Sequence, residues 1–370
     1  IPSRRQIEWN GGYVNNWTTE QFSKYVKTKL VLKRDHAGPG QGYYDDDGYK
    51  SLEEDCKFFN TIHIDPWKKY PEYQDGLHAT VEMINFCSDL NSEIRYEIGT
   101  EESIRRFTAD ELSTFVIDLE KKAGKELPVG VCHPGIHSIQ TGLVKNAPNS
   151  FWINGKPLQR DLRSEIGKEI YCENDANCFA LSEAIDGSGK HYKIVFGVIL
   201  GSGVGGGLVI DKRIVNGPNG ITGEWGHNQI PSVCIDGIQI KKTNLRAGEI
   251  ENYVAGLGIS KAFKNKFKKD LTAQKIFELH RKLDLDAEKL IDKYKDQLAM
   301  SLATVVNIID PDVFVFGGGV SNEIDFLDEI KQKMKKFVAG GEFEGTFLKP
   351  KFGDASGVRG AARLARTTNY

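Results

Sequence analysis

The sequence predicts an α/β protein on three observations. In the first third of the chain, short apolar segments alternate with a helix-periodic stretch. Further on, a glycine-rich run, FGVILGSGVGGGLVIDKRIVNG over residues 196–217, is flanked on both sides by strand-forming residues. Third, a buried-type strand, DVFVFGGGV over residues 312–320, follows a long helical stretch. With 370 residues the chain is long enough for about two or three domains.

Taken in order, LVLKRDH (Leu30–His36), FNTIHID (Phe59–Asp65) and IRYEIGTEE (Ile94–Glu102) read as strands. GLHATVEMINFCSDL (Gly76–Leu90) has helical spacing between the second and third. Such alternation predicts parallel strands joined by crossover helices. Polar residues gather at the C-terminal end of each strand: Asp35 and His36, His63 to Asp65, and Glu97 to Glu101. In a β/α barrel that edge carries catalysis. The pattern changes between Phe115 and Leu127. Downstream, LPVGVCHPG (Leu127–Gly135) and EIYCENDANCFALSEA (Glu169–Ala184) each run from strand into loop, the second then into helix. After the glycine run come a long helical stretch from about Gly258 to Asn307, the strand at Asp312 and a helix over Glu323 to Phe337. There is no internal repeat and no low-complexity segment. The lysine runs at Lys264–Lys269 and Lys331–Lys336 read as solvated helix faces.

Gly201, Gly203 and Gly206 have the spacing of a dinucleotide-binding loop, which must open a helix because the helix N-terminus holds the pyrophosphate. Here Leu208, Val209 and Ile210 follow, then Asp211 and Lys212, which is strand and turn chemistry. A nicotinamide site is therefore excluded. What remains is a β-hairpin, either a tight glycine turn without a ligand or a bend whose bare N–H groups approach an anion.

A formal net charge of −2 gives no reason to expect a nucleic-acid or membrane-surface partner. The longest apolar run, Ile194–Ile210, is broken by glycines and is shorter than the roughly 20 residues of a spanning helix. Six scattered cysteines without paired spacing or a preceding secretory leader predict a soluble protein of a reducing, cytoplasmic setting. The chain opens at Ile1 without an initiator methionine, so its natural start is expected to lie elsewhere.

Asp175, in ENDAN, is the leading candidate for chemistry. It lies where a strand gives way to a helix, and phosphoryl transfer to an alcohol needs a base aimed at the hydroxyl, donors for the phosphates and a metal to offset charge. An aspartate there also caps the helix opening at Ala176, and the two roles are compatible. In GEWGHN, Glu224 and His227 can bracket sugar hydroxyls. His227 is otherwise a metal ligand or an ordinary hydrogen-bonded histidine.

The segments KNAPNSFWINGKPLQRDL, ENDANCFALSEA, GVILGSGVGGGLVI, GITGEWGHNQIP and VFVFGGGVS, in that order, closely resemble the ROK family (repressors, open reading frames and sugar kinases). The nearest branch is that of fructokinase, mannokinase and N-acetylglucosamine kinase. The resemblance implies an actin-like ATPase (ribonuclease H-like) fold, with an incomplete first lobe over residues 118–190 and a nucleotide-binding lobe over 191–370. It also implies an ATP- and Mg²⁺-dependent kinase acting on a hexose, a homodimer in the cytoplasm. Asp175 matches the catalytic base. Asn146, Asn174, Glu224, His227 and Glu251 match sugar-contacting positions. Gly201, Ser202, Gly203 and Gly205 match the phosphate loop, with serine where threonine is usual, and Gly317, Gly318 and Gly319 match the turn on the nucleotide side.

Two departures stand out. The family's zinc-binding cysteine run aligns with KTNLRAGE (Lys242–Glu249), which has no cysteine. His227 and Cys234 alone do not make a tetrahedral site, so no structural zinc is expected. The family's Asp-x-Gly-Gly-Thr loop is also missing; Asp47-Gly48 and Asp186-Gly187 are its nearest fragments and read as turns. In its place SRRQIEWNGGYVNNWTTEQF, LKRDHAGPGQG, TIHIDPWKKYP and RYEIGTEESIRRFT resemble part of the barrel of the tagatose-bisphosphate aldolase subunit family, giving a partial β/α-barrel-like segment over residues 1–117. That resemblance implies Asp35 as a base and His36 and His63 as metal ligands, or else structural residues. Two further functions follow as rivals to the kinase: a sugar-binding protein without catalysis, and metal-dependent aldol cleavage by the N-terminal segment. A ROK repressor is disfavoured, because no helix-turn-helix precedes the kinase-like region.

Overall fold

The computed structural model describes residues 18, 20–21, 33–39, 47–59, 61–67, 69–98, 114, 117–118, 121, 129–147, 150–230, 248–353 and 356–367. The chain divides into two compact units, Ile1–Leu127 and Pro128–Tyr370.

In the first unit, β1 (Lys33–Ala37), α1 (Tyr49–Phe58), β2 (Thr61–Ile64), α2 (Tyr73–Leu90) and β3 (Arg95–Ile98) alternate as the sequence predicts. The strands form a parallel sheet in the order β1-β2-β3. Leu52, Ile62, Ile64, Met83 and Cys87 form its core where the helices cover the sheet.

The second unit opens with β4 (Val129–His133), which pairs in parallel with β7 (Ile170–Asn174). Between them lie the small hairpin β5 (Ile136–His137) and β6 (Val144–Lys145), and helix α3 (Leu158–Ile166). Helix α4 (Asp175–Ile185) leaves β7 with no intervening loop. Strands β8 (Ile194–Leu200), β9 (Val204–Ile210) and β10 (Arg213–Ile214) follow, then a 3-10 turn over Trp225–His227. Helices α5 (Glu251–Val254), α6 (Gly256–Phe267), α7 (Ala273–Arg281) and α8 (Leu285–Ile309) lead to β11 (Val313–Gly317). The chain continues through α9 (Gly319–Glu323), α10 (Leu327–Met334), β12 (Thr346–Leu348) and α11 (Ser356–Thr367).

The main sheet has the order β10-β9-β8-β11-β12. Its β8–β9 and β9–β10 pairs are antiparallel and its β8–β11 and β11–β12 pairs parallel. Period-two alternation divides its two faces. Phe314 and Phe316 join Leu298 and Leu302 of α8 in one core, while Val313 and Val315 join Phe179 and Leu181 of α4 and Leu364 of α11 in the other. Each of these side chains, fully buried, contributes about 1.5–3 kcal/mol. Helix α11 lies hard against its neighbours. A Cβ at Gly360 would fall 1.8 Å from the Cys178 carbonyl oxygen, and one at Gly130 would fall 1.8 Å from that of Ala361.

The single helical stretch expected over Gly258–Asn307 is three helices. Lys268 turns left-handed at φ 59° and ends α6, and the Thr272 hydroxyl accepts the Lys275 N–H at 3.3 Å to start α7. Leu283 (φ 61°) ends α7, and the Asp284 carboxylate caps α8 by accepting from Asp286 and Ala287 at 3.1 and 3.0 Å. The helix expected over Glu323–Phe337 is α10 followed by a 3-10 turn over Lys335–Phe337.

Candidate active site

The junction of β7 and α4 separates two duties. Asn174 is the N-cap: its side-chain oxygen accepts from Ala176 at 2.9 Å and Asn177 at 3.3 Å, and its Nδ2 donates to the Gly135 carbonyl at 2.9 Å. Asp175 is the first helical residue and is open to solvent, with Oδ1 accepting the Ala176 N–H at 2.8 Å. The remaining lone pairs of its carboxylate are available. Surrounding protein desolvates the carboxyl and pushes its pKa up. The Ala176 N–H and the charge of His133 pull it down, and the charge of Glu224 pushes it up again. Exposure and desolvation agree on a surface hollow, where a group meets water on one side and protein on the others.

Asn146, Glu224 and His227 line a cavity of about 530 Å³ together with Ile136, Ile221 and Thr304. The Glu224 Oε2 lies 3.2 Å from His227 Nδ1, and the Asn146 Nδ2 lies 3.4 Å from His227 Nε2. Asn146 occupies the left-handed region at φ 53°, which asparagine tolerates. The Glu224 carboxylate raises the His227 pKa against the desolvation that lowers it. Donation from Asn146 suits the neutral ring; on protonation of the ring, the amide presents its oxygen instead.

The glycine run is the β8–β9 hairpin, with its bend at Gly201–Gly203. Gly201 is the open position, since a Cβ there would meet nothing within 4 Å. A Cβ at Gly203 would lie 2.7 Å from Glu251 Oε2, the same oxygen that accepts the Val204 N–H at 3.0 Å. Glu251 therefore braces the bend, while the Gly256 N–H at the start of α6 donates to the Gly201 carbonyl at 2.8 Å. Gly205 lies under Ala176 of α4, with its virtual Cβ 3.2 Å from the Ala176 Cβ. Strand β9, two residues past the bend, and the residue after Asp175 are thus in contact.

Gly201, Ser202 and Gly319 line a second cavity, of about 650 Å³, together with Leu257, Gln274 and Phe277. The three glycines after β11 differ in kind. Gly317 makes room for the Phe179 ring, with a virtual Cβ 2.5 Å from it. Gly318 has φ 89° and packs on the Leu200 carbonyl, and Gly319 opens on unoccupied space. Gly201 and Gly319 give a polyphosphate close approach to the backbone on one cavity, while the Gly201 N–H itself donates to the Gly203 carbonyl at 3.0 Å and closes the bend.

Sequence reasoning passed over His133, which is 3% exposed at the end of β4, and Trp225, whose Nε1 donates to the Gly205 carbonyl at 2.9 Å and fixes the hairpin. It also passed over Ser260 and Asn322 in the second cavity. The indole in GEWGHN was the available signal for Trp225. Of the residues proposed in the first unit, Asp35 and His36 lie on β1, with side chains outside the described residues, and His63 is buried on β2. Cys234 also lies outside the described residues. Among the described residues, no group of three His, Cys, Asp or Glu side chains is placed to hold a metal, and no helix is long and apolar enough to cross a membrane.

The ROK family profile matches residues 80–368. An N-acetyl-D-glucosamine kinase of Pectobacterium carotovorum subsp. carotovorum (strain PC1) is 38% identical over 299 residues, covering 77% of this chain and 95% of that protein. One from Salmonella gallinarum (strain 287/91 / NCTC 13346) is 34% identical over 263 residues, covering 70% and 86%. Among solved structures, the ROK hexokinase of Thermus thermophilus superposes with a TM-score of 0.61 at 25% identity, over 71% of this chain and 86% of that one. A ROK family glucokinase from Streptomyces griseus, in complex with glucose and AMPPNP, gives a TM-score of 0.56 at 26% identity, over 72% and 88%.

Proposed function

The chain belongs to the ROK family, and on that premise we propose that it transfers the γ-phosphoryl group of ATP to a hydroxyl of N-acetyl-D-glucosamine, with Asp175 as general base. The fold is that of the actin-like, ribonuclease H-like ATPases, and the activity is that of an ATP-dependent sugar kinase. The choice of sugar rests on the names of the relatives that match over most of their length.

One observation carries the assignment of Asp175. The cap of α4 is supplied by Asn174, so the neighbouring carboxylate stands in solvent with lone pairs to spare, next to Ala176, which packs on Gly205 of β9. Asp175 takes the hydroxyl proton while the sugar oxygen bonds to phosphorus, and ADP departs with the electron pair of the broken bond. Asn146, Glu224 and His227 orient the sugar by pairing donors with acceptors. The backbone at Ser202 and Gly319, beside the open Cα of Gly201, would hold the phosphates. Magnesium is bound mainly through nucleotide phosphates and one or two carboxylates, and Glu251 is the carboxylate at the bend that would reach it. Mg-ATP, when bound, supplies the phosphoryl group and the positive charge that offsets its oxygens.

Substituting Asp175→Asn lowers kcat by about 100- to 10,000-fold, the usual contribution of a general base, and leaves sugar affinity near the wild-type value. Coupled ADP release with N-acetyl-D-glucosamine, glucose, mannose and fructose measures both the loss and the preference. A variant that turns over at the wild-type rate removes Asp175 from the role. The missing Asp-x-Gly-Gly-Thr loop favours a second reading, a sugar-binding protein that no longer engages nucleotide. Calorimetry separates the two: that protein gives heat with the sugar and none with Mg-ATP.

A further inference from the structure

We infer that Glu323, at the end of α9, is a specificity residue for the nucleotide: its carboxylate accepts from a ribose hydroxyl and so prefers ribonucleotides to their deoxy counterparts. This role rests on the second cavity being the nucleotide site, with the phosphates at Ser202 and Gly319. It gives the sugar of the nucleotide a partner of its own.

Among the described residues that line the cavity, Glu323 is the one with an ionisable side chain. A carboxylate facing a polyphosphate is repelled by it and weakens binding unless it is paired or meets a donor. Glu323 is paired. The Arg281 guanidinium, at the end of α7, reaches across to α9 and donates through Nη2 to Glu323 Oε2 at 2.8 Å and through Nη1 to the Glu323 main-chain carbonyl at 3.3 Å. Two donors from one planar fork fix the carboxylate in place, and Oε1 is left to accept from a ligand. A carboxylate oxygen only accepts, so the group it meets must carry a proton. In a nucleotide that group is a ribose hydroxyl or an N–H of the base.

Position along α9 selects the ribose. Gly319 opens the helix and Glu323 closes it, a rise of about 6 Å at about 1.5 Å per residue, so the carboxylate stands one step beyond the phosphates. In the nucleotide the ribose is the group that follows them. The floor of the cavity is tight: a Cβ at Gly256 would lie 3.1 Å from the Gly201 carbonyl oxygen, 3.2 Å from Val320 Cγ2 and 3.7 Å from the Ala273 Cβ, so the bend, α9 and α7 meet there. The rest of the lining suits the base. Leu257 and Phe277 offer apolar surface, and the amides of Gln274 and Asn322 both donate and accept, as base edges require. Lys349, a further cation near this turn, donates to the Ser321 carbonyl and does not line the cavity.

Calorimetry with Mg-ADP, Mg-2′-deoxy-ADP, Mg-3′-deoxy-ADP and Mg-IDP tests the role without turnover. In the wild type at least one of the deoxy nucleotides binds about tenfold or more weakly than ADP, the value of a hydrogen bond to a charged group. In Glu323→Ala that deoxy-to-ribo ratio falls to near one, while the ratio of IDP to ADP stays at its wild-type value. Taking ratios removes the general pull of an unpaired Arg281 on the phosphates, which acts on every nucleotide alike. Glu323→Gln serves if the alanine variant does not fold; its neutral oxygen is a weaker acceptor and lowers the ratio by about threefold or more. A wild-type ratio near one, a ratio unchanged in a folded Glu323 variant, or a variant that alters the IDP ratio instead overturns the role. A chain that binds none of these nucleotides overturns it together with the kinase reading. If they bind and no sugar is phosphorylated, the kinase reading fails alone, and the deoxy-to-ribo ratio still decides the part played by Glu323.

Discussion

Asn174 and Asp175 share work that a sequence reader gives to one residue. Asn and Asp are both strong N-cap residues, so ENDAN announces a helix start without saying which of them caps it. The answer depends on Asn174 keeping extended geometry, φ −61° and ψ 145°, while Asp175 is already helical. One consequence is measurable in stability. Desolvation raises the Asp175 pKa in the folded state, so the fold favours the protonated acid. For a raised carboxyl the linkage runs opposite to the usual case: folding is penalised as pH climbs from the unfolded pKa through the folded one, and the penalty is complete above both. Asp175→Asn keeps an oxygen for the Ala176 N–H and removes the charge. Its urea midpoint therefore exceeds that of the wild type at pH 7, and the two converge as pH falls below the unfolded carboxyl value of about 3.9. An Asn variant less stable than wild type at pH 7 would mean that the charge is stabilising. His133 was not legible beforehand, because its place opposite Asn174 comes from a parallel pairing of strands about forty residues apart, which no local pattern encodes.

At the scale of elements, strand–bend–strand was legible because β-branched residues flank the glycines and turn chemistry follows them. What the sequence did not reveal is that the glycines serve different masters. Gly207 is a seat for α4: a Cβ there would fall 2.6 Å from the Ala176 carbonyl oxygen and 2.9 Å from the Ala180 Cβ. A Cβ at Gly201 would meet nothing within 4 Å. Substituting Gly207→Ala thus lifts the helix that carries Asp175 and costs about 1–3 kcal/mol of stability, as overpacking does. Gly201→Ala leaves stability within about 0.5 kcal/mol but obstructs phosphate approach and raises the KM for ATP about tenfold or more, the value of a hydrogen bond to a charged group. Chemical denaturation and steady-state kinetics on the two variants should separate along those lines; equal ATP KM values in Gly201→Ala and wild type would remove the bend from nucleotide binding. The division of the long helical stretch was less visible for a physical reason. The helical period continues on both sides of each break, and the breaks are made by left-handed Lys268 and Leu283, residue types that seldom adopt that conformation.

At the scale of the molecule, the family match begins at residue 80, within α2 of the first unit, although the motifs that carry the resemblance begin after Leu127. Those motifs hold the residues assigned above to sugar and nucleotide. By contrast, α2 and β3 have only an amphipathic pattern that many folds share, so the upstream reach of the family could not be read from residue types. Every described residue assigned to sugar or nucleotide, from Asn146 to Gly319, lies in the second unit. A ligand that binds the native state alone adds RT ln(1 + [L]/Kd) to its stability, about 2.7 kcal/mol at a concentration of 100 Kd. Spread over a unit of this length, that gain raises a melting temperature by about 5–10 °C. Differential scanning calorimetry with saturating N-acetyl-D-glucosamine should therefore move the transition of the second unit upward by that amount and leave any separate transition of the first unit where it was. The assignment is made with Glu224→Gln, which weakens sugar contact and should cancel the shift without displacing the sugar-free transition by more than about 0.5 kcal/mol equivalent, the ordinary effect of a surface substitution. A sugar-induced shift confined to the first unit's transition would place the substrate outside the cavity of Asn146, Glu224 and His227, and with it the chemistry assigned to Asp175.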